Sequence, residues 1–177
     1  MAQDDSFRAD GPVVFREAQR FRQWWVWLIV AGVAAVGWWG FIQQVVFGRP
    51  FGDNPAPTWA MVLIWVVFGW GFPAFFLLLR LVVEVTADAV VVGFRPLSRR
   101  VLPIGEIEHV EARQYNALVE YGGWGVKGWS RQKMAYNVRG NRGVELTLRD
   151  GRRIMLGSQR SEELAAAIES RRGGVQR

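Results

Sequence analysis

QWWVWLIVAGVAAVGWWGFIQQVVFG at residues 23–48 and NPAPTWAMVLIWVVFGWGFPAFFLLL at residues 54–79 are two runs of 26 residues without a charged side chain. Crossing the hydrocarbon core of a bilayer takes about 20 apolar residues, so each run predicts a membrane-spanning helix. The alternative, two core helices of a soluble protein, leaves too little chain to cover them. The link at 49–57, RPFGDNPAP, is short and rich in turn formers, which predicts an antiparallel helical hairpin. Pro73 is expected to kink or loosen the second helix, because it removes a backbone donor. Trp24, Trp25 and Trp27 mark one end of the first span and Trp59 the start of the second, where interfacial belts sit. Trp38, Trp39, Trp65 and Trp70 lie deeper, and there bulky indoles supply packing surface rather than anchorage. Ala31, Ala34, Ala35, Gly37, Gly40, Gly69 and Gly71 permit close helix approach. Gln43 and Gln44 are the strongly polar side chains well inside a span, suited to bonding across helices or to the outer interface. With no ionisable residue in either run, a proton relay, ion path or voltage sensor has nothing to act through, and no histidine there can ligate haem.

Orientation follows from the basic residues. Arg8, Arg16, Arg20 and Arg22 precede the first span, Arg80, Arg95, Arg99 and Arg100 follow the second, and the link carries only Arg49. The positive-inside rule then places both termini of a multi-pass membrane protein in the cytoplasm. No cleaved signal peptide is expected, since MAQDDSFRADGPVV is mixed in charge and lacks an apolar core. Within residues 1–22, Val14, Ala18, Phe21 and Trp25 recur at helical spacing, which predicts an interfacial helix running into the span at 23–80. The other reading of that segment is the solvated start of the span itself.

The 177-residue chain has a formal net charge of +6, no cysteine and one histidine. Disulfides, thiolate metal sites and cysteine nucleophiles are thereby excluded, and a histidine metal centre or triad is disfavoured. His109 lies in EIEHVE at 106–111, where Glu106 and Glu108 alternate as one strand face would, so no metal is assigned. The surplus charge is local. Lys127, Arg131, Lys133, Arg139, Arg142, Arg149, Arg152 and Arg153 face only Glu145 and Asp150 between residues 124 and 153. Residues 1–53 hold five basic and five acidic side chains, so the basic surplus belongs to this one stretch. It reads as a solvated face, as a site for anionic inner-leaflet lipid, or as a site for an acidic protein partner. Nucleic acid fits poorly, because no recognition motif accompanies the charge.

After residue 80 the pattern turns to short β runs at 81–86, 89–94, 99–102, 107–114, 143–149 and 152–156. Asp150-Gly151 is the strongest hairpin signal in the chain. Ser161 is placed to cap a helix through 170, with Leu164, Ala165 and Ile168 as its apolar stripe, and residues 171–177 are expected to fray. GWGVKG at 123–128 satisfies G-x-G-x-x-G, but no strand–helix context surrounds it, so it reads as a glycine-rich strand or bulge. Strands followed by a single helix predict a small all-β sandwich or barrel over 81–170, closed by that helix.

Residues 15–21 (FREAQRF), 121–125 (YGGWG), 135–143 (AYNVRGNRG), 150–153 (DGRR) and 157–164 (GSQRSEEL) give the chain a resemblance. It resembles bacterial PH-like membrane proteins, in which a two-helix anchor precedes one PH-like domain. That resemblance implies a fold and no reaction, and it implies no cofactor. Phosphoinositide binding by the broader PH family has no matching motif here. The expected function is a non-enzymatic membrane scaffold or accessory subunit of a bioenergetic, transport or envelope complex. Its hairpin would dock other membrane helices or large flat cofactors, and its PH-like domain a cytoplasmic partner. The alternative is an anionic-lipid sensor. The candidate patch for lipid or partner is Trp124, Lys127, Trp129, Arg131, Lys133, Arg139, Arg142, Arg152 and Arg153. No nucleic acid and no small-molecule substrate are expected.

Overall fold

The chain divides into two units. A computed structural model describes residues 12–130 and 132–175, without the side chains of 128–130 and 175. Residues 21–79 form a helical unit, and the segments on either side of it form a β unit.

In the helical unit, α1 (Trp24–Phe41) continues through a π-helical turn at Ile42–Val46. The return limb is α2 (Thr58–Ile64), a π-helical stretch at Trp65–Gly71, and α3 (Phe72–Leu78). Pro73 cannot donate to the carbonyl one turn back, and the π register immediately before it spreads that loss over several residues. The two limbs run antiparallel at close range. A Cβ on Gly37 would lie 3.3 Å from the Gly69 nitrogen, and one on Gly40 3.2 Å from the Met61 sulfur. Trp24–Val46 and Thr58–Leu78 are each long and apolar enough to cross a membrane, and only 22% and 11% of their most apolar stretches are buried.

The β unit holds two sheets. The first is an antiparallel meander of β1 (Phe15–Arg20), β2 (Arg80–Val85), β3 (Ala89–Arg95) and β4 (Ser98–Pro103). Flanked on both sides, β3 reads as a continuous apolar run rather than an alternating one. The second sheet contains β5 (Ile107–Gln114), β6 (Gly125–Ser130), β7 (Lys133–Asn137), β8 (Arg142–Leu148) and β9 (Arg153–Gly157). Its order is β5-β8-β9-β7-β6, and β7 pairs parallel to β9. Between β5 and β6 lies a five-residue helix, α4 (Ala117–Tyr121), and the chain closes with α5 (Ser161–Val175). Val144, Leu146, Leu148, Ile154 and Leu156 form the apolar face of the second sheet, and α5 lays Leu164 and Ile168 into the core, packing on β5 and β8.

Three expectations are corrected. Residues 15–20 are a strand of the β unit, not an interfacial helix. Phe15, Glu17 and Gln19 point inward opposite Val85, Val83 and Leu81, while Arg16 pairs with Glu84 at 3.1 Å. Two of those three inward side chains are polar, which hides the period of two. The Glu17 carboxylate accepts from the Ser158 hydroxyl and from the Gln159 amide (3.0 Å), and the Gln19 amide donates to the Gly157 carbonyl at 2.9 Å. The expected tail at 171–177 continues α5 through Val175, with Arg172 bonding Glu169 and the Glu108 carbonyl. Finally, the β unit expected over 81–170 also takes in β1, so the helical unit interrupts it in sequence, between β1 and β2.

Candidate functional site

The sheet face opposite α5 would be bare polar surface if nothing covered it. Paired residues share a face, so Lys127, Ala135, Met155, Glu145 and Glu111 form one row across the second sheet, with Lys133, Arg153 and Thr147 in the next. Residues 115–124 fold over part of this face. Tyr115, Ala117, Tyr121, Ala135 and Met155 make a buried cluster, with Trp124 packed against it. Tyr115 and Tyr121 meet edge to face at 5.9 Å. Glycines make the room: a Cβ on Gly157 would lie 2.9 Å from the Tyr115 hydroxyl and 2.8 Å from the Asn137 Cβ.

Local chemistry shapes the cover. Asn116 caps α4, its side chain accepting from Leu118 and Val119, while the Glu120 carboxylate accepts from the Asn116 amide at 2.8 Å. Gly122, at φ 74°, ends the helix in the left-handed region. Gly123 and Gly125 also sit at positive φ, so the glycine pattern serves a helix-to-strand turn and not a phosphate cradle.

Charge then fastens the cover to the sheet. Arg113 donates through Nε to Glu145 at 2.8 Å and through Nη2 to Glu120 at 2.8 Å, and it reaches the Tyr121 hydroxyl at 3.4 Å. The Lys133 ammonium lies 4.9 Å from the Tyr121 ring centre. The guanidinium of Arg113 holds the Glu120 carboxyl below its ordinary value, and Glu120 in turn raises Arg113. Burial pushes the Tyr121 hydroxyl up to about 12. Through Arg113 the cluster acts as a latch that holds α4 against β5 and β8. Among the described residues no group of His, Asp and Glu could hold a metal ion.

The basic residues expected to act together are divided. Lys133 and Arg153 are cross-strand neighbours, and Lys127 lies on the same face along β6. Arg153 approaches Glu145 at 3.9 Å, and Arg152 pairs with Asp150 in the turn between β8 and β9. Arg139 and Arg142 lie at the opposite end of the sheet, both exposed. Trp124 is half-buried in the aromatic cluster, and the side chains of Trp129 and Arg131 lie outside the described residues.

The tryptophans of the helical unit also separate into two sets. Trp65 stacks on Phe41 at 4.3 Å and meets Trp38 edge-on at 5.2 Å, and Trp38 meets Trp70 at 5.5 Å. Trp38 and Trp65 are therefore spent inside the hairpin. Trp39 and Trp70 remain 58% and 57% exposed, and Trp24, Trp25 and Trp59 are exposed near the helix ends. Trp27 donates to the Phe21 carbonyl at 3.0 Å.

Residues 7–174 match the Family of unknown function (DUF6141). The chain belongs to that family. The match runs through β1, both apolar helices, both sheets and nearly all of α5, so it takes in the helical unit and the β unit together. No curated protein matches the chain. Sequence reading missed Arg113, Tyr115, Glu120 and Tyr121. The signal that finds them is Asn116 as a helix start with Gly122-Gly123 as its stop, a complete short helix between two strands.

Proposed function

We propose that this member of the family is a non-enzymatic, membrane-anchored docking subunit of the bacterial inner membrane. Its hairpin crosses the bilayer twice and packs against other membrane helices or large flat cofactors of a bioenergetic, transport or envelope complex. Its β unit, read as PH-like, binds a partner in the cytoplasm. The observation that carries this reading is the aromatic surface left over once the hairpin has packed. Trp38 and Trp65 satisfy the internal contacts, while Trp39, Trp70, Val36, Leu63 and Val66 face outward from helices that bury little of themselves. Anchoring requires belts at the ends alone, so outward indoles deep in a span favour a partner.

Strand pairing supports the proposed topology. Because β1 and β2 are paired along their length, both flanks of the hairpin belong to one folded unit, which supports placing them on one side of the membrane. An even number of crossings follows. Two sheets closed by a C-terminal helix suit a PH-like reading, although the parallel β7–β9 pair departs from a plain antiparallel barrel. A lipid sensor is the weaker reading, since the basic stretch splits to two ends of the sheet and Arg152 and Arg153 answer acids of their own.

Extraction from native membranes in a mild detergent, followed by native mass measurement, tests the proposal. A species heavier than the monomer, containing a second membrane protein, is expected. A stable monomer from native membranes contradicts it.

A further inference from the structure

The first sheet carries a row of like charges at one end. Arg20, Arg80 and Arg95 stand opposite one another on β1, β2 and β3, so all three side chains project from one face. Arg99, opposite Gly93, lies one row along on the same face. Phe15, Glu17 and Gln19 define the inward face, so this one is outward, and all four arginines are exposed. None of the four forms an ion pair among the described residues. Glu84, the acid that these strands contribute to that face, already pairs with Arg16 at 3.1 Å. The Arg95 Nε lies 3.9 Å from where a Cβ on Gly93 would sit, which folds Arg95 back over the row that holds Arg99. Like charges directly opposite each other destabilise a sheet, and Arg80 has one on either side. An anion shared between the guanidinium groups offsets that repulsion.

The same end of the sheet has an apolar tip. Arg95 leads into the turn between β3 and β4, which the Leu97 amide closes on the Phe94 carbonyl at 2.7 Å. Leu97 stands 62% exposed there, bracketed in sequence by Arg95 and Arg99. Arg20 is bonded to Phe21 and Arg80 to Leu79, the first and last residues of the helical unit. The row therefore stands at the two points where the chain passes into and out of the apolar helices. A cationic band around an exposed leucine suits a surface that is anionic at headgroup level and apolar beneath it. An acidic protein would match the charge alone. The hairpin, once it crosses a bilayer, brings phospholipid to this end of the sheet.

We propose that this end of the β unit is a headgroup site for anionic phospholipid of the cytoplasmic leaflet. The phosphates lie against Arg20, Arg80, Arg95 and Arg99, and Leu97 enters the acyl boundary between them. The contact seats the docking unit on the membrane in one orientation. It uses none of the basic residues between 124 and 153. The inference rests on the hairpin crossing the bilayer, as read above.

Because the chain has no cysteine, a single Leu97→Cys thiol can carry an environment-sensitive nitrobenzoxadiazole label. The labelled full chain is placed in nanodiscs of phosphatidylcholine alone or of phosphatidylcholine with phosphatidylglycerol. Blue-shifted emission, quenched by nitroxides on the acyl chains, is expected with phosphatidylglycerol and is expected to fade without it. Arg95→Gln and Arg99→Gln should each lower the ratio of inserted to aqueous label about fivefold. Arg139→Gln and Arg142→Gln, exposed on the second sheet, should not. All four positions are exposed, and an unchanged melting temperature verifies that the variants fold. An aqueous label in phosphatidylglycerol discs, equal insertion with both lipids, or indifference to both Arg95→Gln and Arg99→Gln overturns the proposal. So does release of the label by inorganic phosphate but not by chloride of equal ionic strength, which would assign the arginines to a free anion. A chain that enters the discs with its label aqueous leaves the membrane hairpin standing and removes the headgroup site. A chain that does not enter the discs removes both.

Discussion

Arg113 donates to Glu120 on α4 and to Glu145 on β8, and all three side chains are partly buried. Replacing it by Met removes the guanidinium the two carboxylates share, leaving Glu120 with the Asn116 amide and Glu145 with the more distant Arg153. The expected cost is roughly 1–3 kcal/mol, the penalty of an abandoned partly buried group. Faster amide exchange at residues 116–123 reports it. The same latch has an acid limit. Since Arg113 holds the Glu120 carboxyl below its ordinary value, its contribution is complete above the ordinary glutamate pKa of about 4.3 and is lost as pH falls through the lowered one. Protection factors at 116–123, which remove the intrinsic base-catalysed rise of exchange with pH, should therefore be flat through neutral pH and fall only in acid. A fall in protection between pH 6 and 8 would contradict this assignment. Gly157 is the second sensitive position. An added methyl meets the Tyr115 hydroxyl and the Asn137 side chain inside 3 Å, so Gly157→Ala should destabilise the β unit by roughly 1–3 kcal/mol in thermal unfolding. None of this was legible from composition, because the value of Arg113 comes from partners 7 and 32 residues away.

At the scale of elements, β1 shows what periodicity misses. Its inward face is Phe15, Glu17 and Gln19, and the two polar side chains are satisfied by residues 157–159, more than 130 positions later. The spacing of Val14 and Ala18 on the outward side, continued by Phe21 beyond the strand, mimics a helix. By contrast, β2, β3 and the hairpin at Asp150-Gly151 were readable, since their signals are local: apolar alternation, β-branched runs and an Asp-Gly turn. The apolar helices were readable for the same reason. The parallel β7–β9 pairing was not, because nothing local specifies it. Glu17→Ala removes the acceptor for the Ser158 hydroxyl and the Gln159 amide. It should cost roughly 1–3 kcal/mol and loosen residues 157–163, measurable by amide exchange. Unchanged protection there would mean that β1 does not brace the start of α5.

For the whole molecule, the decisive feature is an apolar hairpin inserted between two paired strands. Residues 21–79 leave the β unit after Arg20 and return at Arg80, and those two arginines are register partners. A single crossing is incompatible with that pairing, whatever the direction of insertion. The proposed arrangement therefore places the loop at 49–57 on one side of the bilayer and both flanking segments on the other. The chain has no cysteine, so each introduced thiol reports alone. Val13→Cys, Asp53→Cys and Val119→Cys are compared in intact bacterial cells with a membrane-impermeant maleimide, before and after permeabilisation. Val13 and Val119 are exposed, at 53% and 75%, so reagent access and not burial decides the reading. Labelling at position 53 in intact cells, with 13 and 119 labelled only after permeabilisation, is the predicted result. Equal labelling of all three before permeabilisation, or opposite accessibility of 13 and 119, would contradict the membrane hairpin.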